Sequence, residues 1–187
     1  MSEKNGDMVE YIAFLRGINV GGHNVKMDVL REQFTGLGLT KVETFIASGN
    51  VIFESRNADV ATLEAKIEMQ LGAALGYEVA TFVRARAEVA DITGYVAFSD
   101  EKLASAGAFC AAFIKAPLTA GQLITLQQFT TNVDEFHAKG REIFWLCKVR
   151  QSESKFSNAQ FERKLGIAAT FRSMTTVRKL AAKFPSR

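Results

Sequence analysis

Val42-Glu43-Thr44-Phe45-Ile46 and Val51-Ile52-Phe53-Glu54, with Ala47-Ser48-Gly49-Asn50 between them, settle how this chain folds. Both flanking runs are rich in β-branched and aromatic residues and read as strands. Ser-Gly-Asn supplies the residue types a tight turn demands, so the stretch is a hairpin. Upstream, Tyr11 to Leu15 reads as a strand and is followed by a Gly-rich loop. Met27, Leu30, Phe34 and Leu37 then recur at helical spacing, with Asn24 as the expected N-cap and Gly38 as the stop. Downstream, Asp59 caps a helix whose Leu63, Ile67, Leu71 and Leu75 share one face, and Val79 to Val83 alternates as a further strand.

That order, β-α-β-β-α-β, is the ferredoxin-like pattern, and it returns after a mostly helical connection. Phe109 to Lys115 reads as a strand, Leu123, Leu126 and Phe129 mark a helix, and Val133 to Ala138 with Ile143 to Cys147 form a hairpin around Lys139-Gly140. Ser157-x-x-Gln160 opens a helix that Gly166 ends, and a short strand near Ala169 to Arg172 precedes a last helix through Leu180. Phe45-x-Ala47-x-Gly49 with Phe53 echoes Phe136-x-Ala138-x-Gly140 with Phe144, as Ala13-Phe14-Leu15 echoes Ala112-Phe113-Ile114. The expected architecture is α+β, two tandem ferredoxin-like repeats packed as one compact unit: residues 1–84, a connection 85–107, and residues 108–187. Phe14 to Phe45 spans 31 positions and Phe113 to Phe136 spans 23, so the first repeat holds 8 extra residues, assigned to the loop from Ile18 to Val25.

Composition narrows the function classes. The chain has 187 residues, 48% hydrophobic and 23% charged, with 15 Phe and 2 Pro, which excludes disordered, collagen-like and low-complexity proteins. Its longest purely apolar run, Ala108 to Ile114, falls far short of the ~20 residues of a membrane-spanning helix. The polar N-terminus carries no targeting pattern, so a cytoplasmic location is expected. Cys110 and Cys147 lack metal-ligand spacing and read as buried thiols; no metal and no cofactor is expected. Residues 139–187 hold 12 Lys/Arg against 3 Asp/Glu, so the C-terminal third carries +9 and the remainder −6. Such asymmetry fits either a polyanion-binding end or basic and acidic faces that neutralise one another.

The stretch with most chemistry is Arg16-Gly17-Ile18-Asn19-Val20-Gly21-Gly22-His23-Asn24, which lies between a strand and a helix, where free N–H groups and the helix dipole favour an anion. Arg16 can grip a phosphate or carboxylate bidentately, the backbones of Gly17, Gly21 and Gly22 allow close approach, Asn19 adds an amide, and Lys26 adds a charge. His23-Asn24 stands where a phosphate-binding loop of the nucleotide-hydrolysing kind needs Lys-Ser/Thr, so Mg-nucleotide chemistry of that kind is not expected. The alternative is a structural loop with Arg16 paired to a carboxylate.

Ser48 and Asn50 offer a hydroxyl and an amide, although a tight turn demands the same residues. The loop after the first strand and the turn before the third are expected at opposite ends of the sheet, roughly 17 Å apart. Ser48 and Asn50 would join the Arg16 loop only if it folds back or the second repeat bridges the gap. His23 and His137 have no visible partners, and no carboxylate pair marks acid–base catalysis. Lys139-Gly140 with Phe144-Trp145, and Gly49 with Phe53, partly echo the RNA-recognition strand, which leaves a nucleic-acid-binding module as one alternative and a protein-interaction module as another.

With Leu15-Arg16-Gly17-Ile18-Asn19-Val20-Gly21-Gly22 and Ala47-Ser48-Gly49-Asn50-Val51-Ile52-Phe53, the chain resembles the bacterial family called domain of unknown function 1697. Lys155-Phe156-Ser157-Asn158-Ala159, with Glu162 and Leu165-Gly166, resembles a later family block. Thr170, Arg172 and Thr176 match its last block, from which Ser173 and Met174 depart; His23 stands where the family has Lys or a similar residue. The resemblance implies a small cytosolic protein of ferredoxin-like repeats with no assigned activity. These readings converge on a small anionic ligand held by Arg16, Gly17, Asn19, Gly21, Gly22 and Lys26, with Ser48, Asn50 and Arg172 as further contributors, and they specify no reaction.

Overall fold

A computed structural model describes residues 7–19, 22–46 and 49–183. The chain divides into two compact units, Met1–Val89 and Ala90–Arg187. The first contains β1 (Val9–Leu15), α1 (Met27–Gly36), β2 (Thr40–Phe45), β3 (Asn50–Ser55), α2 (Val60–Leu75) and β4 (Thr81–Ala85). Its four strands form an antiparallel sheet in the order β2-β3-β1-β4. Helix α3 (Arg86–Gly94) runs across the boundary between the units. The second unit holds α4 (Asp100–Ala104), β5 (Ala108–Phe113), α5 (Ala120–Gln127), β6 (Asp134–Lys139), β7 (Glu142–Cys147), α6 (Asn158–Leu165), β8 (Thr170–Ser173) and α7 (Met174–Lys183). Its sheet repeats the arrangement as β6-β7-β5-β8, also antiparallel. Among the described residues no helix is long and apolar enough to cross a membrane.

Period-two alternation explains the core of the first unit. Tyr11, Ala13 and Leu15 of β1, Val51 and Phe53 of β3 and Val83 of β4 meet Leu30 and Phe34 of α1 and Leu63, Ile67 and Leu71 of α2 in one buried cluster. Leu30 and Phe34 are fully buried, each contributing ~1.5–3 kcal/mol from apolar surface removed from water. In the second unit Cys110, Ala112, Ile143 and Trp145 meet Leu126 of α5 and Phe161 and Leu165 of α6. Trp145 is satisfied within that core, its indole N–H donating to Asp134 Oδ1 at 2.9 Å while Ser154 Oγ donates to the same carboxylate. Gly107 is required by close approach: a Cβ there would lie 2.1 Å from the Val149 carbonyl oxygen.

Caps fall largely where local chemistry demands them. Asp59 accepts from the Ala61 N–H, Ser157 from Gln160, and Gly76 and Gly166 close α2 and α6 in the left-handed conformation. Asn24 does not cap α1. The helix starts two residues later, with Lys26 in the N-cap position and no side-chain cap.

The hairpin echo is out of register, by three residues in the first strand, where Phe45 matches Lys139, and by one in the second. Phe45 pairs with Asn50 across the four residues 46–49, whereas Lys139 pairs with Glu142 across Gly140 and Arg141 alone. Phe53, opposite Tyr11, therefore corresponds to Trp145, opposite Cys110, and both lie in helix-side cores; Phe144 faces the other way. Between β1 and α1 the chain has the 11 residues 16–26, against the 6 residues 114–119 between β5 and α5, so the loop is longer by five rather than eight.

Two polar features are built into each sheet. Arg84 and Arg172 occupy matching register positions, opposite Ile12 and Ala111, and both are buried. Each guanidinium donates to the carbonyl of the residue before it, Val83 and Phe171 respectively. The outer edge of β4 is closed by carboxylates: the N–H groups of Thr81, Val83 and Ala85 donate to Glu68, Glu64 and Glu88 at 2.7–2.8 Å. At the entry to β8, Ala169 N–H donates to Glu162 in the same way.

Candidate functional site at the Gly-rich loop

Because β3 runs antiparallel to β1, its first residue lies beside the end of β1: Asn50 is opposite Phe14. The Leu15 N–H donates to the Gly49 carbonyl at 2.8 Å, and the Arg16 N–H donates to the Ala80 carbonyl at 2.8 Å. The loop after β1, the β2–β3 turn and the approach to β4 therefore share one end of the sheet. This corrects the expectation of opposite ends; neither a fold-back nor the second unit is needed to bring turn and loop together.

Asn19 and Gly49 frame the described part of the loop. Asn19, at φ +57°, turns back so that its Oδ1 accepts from the Val25 N–H at 2.6 Å. Ile18 and Val25 are buried. Gly49, at φ +73°, is pressed against this frame: a Cβ there would come within 3.0 Å of Ile18 Cβ and 3.2 Å of Leu15 Cβ. Arg16, Gly22, His23, Asn24 and Lys26 are exposed, and Gly17 is half-buried. His23 stacks on Tyr77, with ring centroids 3.8 Å apart.

The start of α1 completes the picture. Asp59, Ser99, Thr119 and Ser157 supply side-chain caps to α2, α4, α5 and α6, and Thr119 with Gln122 forms a full capping box. α1 has no side-chain cap, so the N–H groups of its first turn keep their capacity for an outside acceptor. The positive end of the helix dipole lies beside Lys26.

Of the residues expected at the site, Arg16, Gly17, Asn19, Gly22, Lys26 and Asn50 gather at this end of the first sheet. Gly21 and Ser48 lie outside the described residues. Asn19 acts through the frame, and Asn50 is buried with its amide donating to the Phe45 carbonyl at 3.1 Å. Arg172 belongs to the second unit, where it also donates to Thr170 Oγ1 at 2.7 Å. Burial draws its guanidinium down to about 10, still cationic at neutral pH.

Sequence reasoning missed Tyr77. Its hydroxyl is buried with no hydrogen-bond partner among the described residues, and burial raises its pKa. Nothing in the local sequence signals that role, since it depends on contact with His23 more than fifty positions away. His137 does have a partner: its Nε2 lies 2.7 Å from the Tyr95 hydroxyl. Phe53, Phe144 and Trp145, the aromatics that suggested nucleic-acid stacking, are all buried. Among the described residues no three His, Cys, Asp or Glu side chains are grouped as metal ligands would be.

Two antiparallel four-stranded sheets with helices between their strands define a small α+β protein. The chain belongs to the family described as Protein of unknown function (DUF1697), whose model matches residues 8–144. Among solved structures it is similar to the conserved bacterial protein SP0830 from Streptococcus pneumoniae. The two are 25% identical with a TM-score of 0.75, over 95% of this chain and 98% of that one. No curated protein matches.

Proposed function

We propose that this protein binds a small phosphate- or carboxylate-bearing molecule at the loop between β1 and α1, and that its two units are ferredoxin-like repeats from an internal duplication. The carrying observation is that α1 starts uncapped at Lys26, at the end of the loop that Arg16 opens, whereas α5, which follows the matching strand of the second unit, closes its own first turn with the Thr119–Gln122 capping box. Arg16 provides a bidentate grip, Lys26 a point charge, and the α1 N–H groups together with the Gly17 and Gly22 backbone the remaining donors. Asn19 and Gly49 hold these groups in place. The repeats are supported by the matching strand orders and by the paired Arg84 and Arg172 positions.

A thermal-shift screen of nucleotides, sugar phosphates, small carboxylates and short oligonucleotides at two salt concentrations tests this. A ligand at ~100 times its Kd adds ~2.7 kcal/mol, a shift of several degrees in a chain of this size. The expected result is a shift with a small anion that disappears in Arg16→Ala, whose own Tm stays close to wild type. A large drop in the Tm of free Arg16→Ala makes Arg16 a structural ion-pair residue and overturns the proposal. A salt-sensitive shift with oligonucleotides alone transfers the function to the basic C-terminal third.

A further inference from the structure

The first sheet carries a second, differently built cleft at its other end. β1 spans Val9–Leu15, which puts this end roughly 20 Å from the Arg16 loop. The cleft has a volume of about 560 Å³, within the ~300–1,000 Å³ range of small-molecule sites. Its wall is apolar where Leu39, Leu63, Ile67 and Met8 line it, and Thr40, Ser55, Arg56, Asn57 and Lys66 supply its polar groups.

Those polar groups are one-sided. Ser55 Oγ accepts from the Asn57 N–H at 3.0 Å and Asn57 Oδ1 accepts from the Asp59 N–H at 3.0 Å, while the Asn57 carbonyl accepts from the Tyr11 hydroxyl. Each of these oxygens already accepts a hydrogen bond, the Ser55 O–H and the Asn57 Nδ2 remain to donate, and Thr40 adds a hydroxyl that can do either. Among the described residues Arg56 and Lys66, both exposed, make no ion pair or hydrogen bond, and no acidic residue lines the cleft. An apolar wall edged mainly by donors, two of them cationic, is complementary to a ligand with an apolar body and an acceptor-rich, negative head.

We infer that this cleft is a binding site for a small amphipathic anion, the apolar body lying against Leu39, Leu63 and Ile67 and the acidic head meeting Arg56, Lys66 and the Ser55–Asn57 donors. This site is independent of the Arg16 loop.

The test is an NMR titration of the full-length protein with octanoate, octyl phosphate, octylamine and acetate. The octyl anions are expected to move the amide signals of Gly38, Ser55, Asn57 and Lys66, and the one that binds more tightly identifies the head as carboxylate or phosphate. Octylamine, with the same body and opposite charge, and acetate, with the charge and no body, are expected to bind at least about tenfold more weakly. Charge reversal at these two cations, Arg56→Glu with Lys66→Glu, is expected to weaken octyl-anion binding by a similar factor while preserving the dispersed spectrum of the fold. Arg16→Ala is expected to leave it unchanged. Equal binding of octylamine and octanoate, or undiminished octanoate binding by the double variant, overturns the inference. So does the absence of any shift at these amides; loss of octanoate binding in Arg16→Ala assigns it to the loop instead.

Discussion

The Leu15 N–H and the Gly49 carbonyl, 2.8 Å apart, tie the end of the first strand to the last residue of the hairpin turn. Gly49 needs both its positive φ and its missing Cβ to make that contact. Gly49→Ala is expected to lose roughly 1–3 kcal/mol from left-handed strain and from the clash with Ile18 and Leu15, measurable by urea denaturation. Because the displaced atoms support the loop, the same variant is expected to bind the loop's anionic ligand more weakly than its residual folded fraction explains.

The open start of α1 yields a trade between stability and binding. Lys26→Asp places an acceptor at the N-cap and a negative charge at the positive end of the helix. The free protein is expected to gain about 0.5–2 kcal/mol and to melt several degrees higher, while losing affinity for the anion. A Tm below wild type would show that Lys26 supports the loop directly and would count against the anion site.

Trp145 is the single tryptophan, so its surroundings can be followed alone. Asp134→Ala removes the acceptor of its buried indole N–H and of Ser154 Oγ. A loss of roughly 1–3 kcal/mol is expected in denaturant unfolding monitored by fluorescence. The emission maximum should change even where the variant is fully folded, because the group beside the indole has changed.

Glu135 gives the acid limb of stability a defined sign. The hydrogen bond from Lys102 Nζ at 2.5 Å, reinforced by Lys148, holds its carboxyl below the ordinary range. A lowered native pKa means that the contribution is fully present above about 4.5, the ordinary value, and is lost as pH falls through the native one. Glu135→Gln is therefore expected to be less stable than wild type at pH 7 and to converge with it in strong acid. Added salt should shrink the neutral-pH difference, since the group is at the surface.

What the sequence made legible is what depends on near neighbours. Asp59, Ser157 and Gly166 are readable as helix boundaries because each acts within a few residues of itself. The end of the sheet at which the turn residue Gly49 lies is not legible locally, because it depends on the antiparallel pairing of β1 with β3, some forty residues away. Asn24 looked like a cap from its type alone, but Asn19 reaches across the loop to Val25 and the helix starts later. Glu64 and Arg84 could not be read as buried: the first is accommodated by a backbone donor 19 positions away, the second by its place in the sheet. At the candidate site, Arg16 and Lys26 were recognisable from charge and loop context, whereas Tyr77 becomes visible only through its stacking on His23.

The glutamates along β4 have a consequence for how copies of this chain meet. An outer strand normally presents a row of backbone donors on which another molecule's strand can align, the first step toward disordered aggregates. Here three successive outward donors are already engaged by carboxylates from α2 and α3. An incoming strand would have to displace these charged acceptors before it could pair. The same side chains that complete the sheet's hydrogen bonding thereby help keep crowded copies of the protein from adding to one another edge to edge.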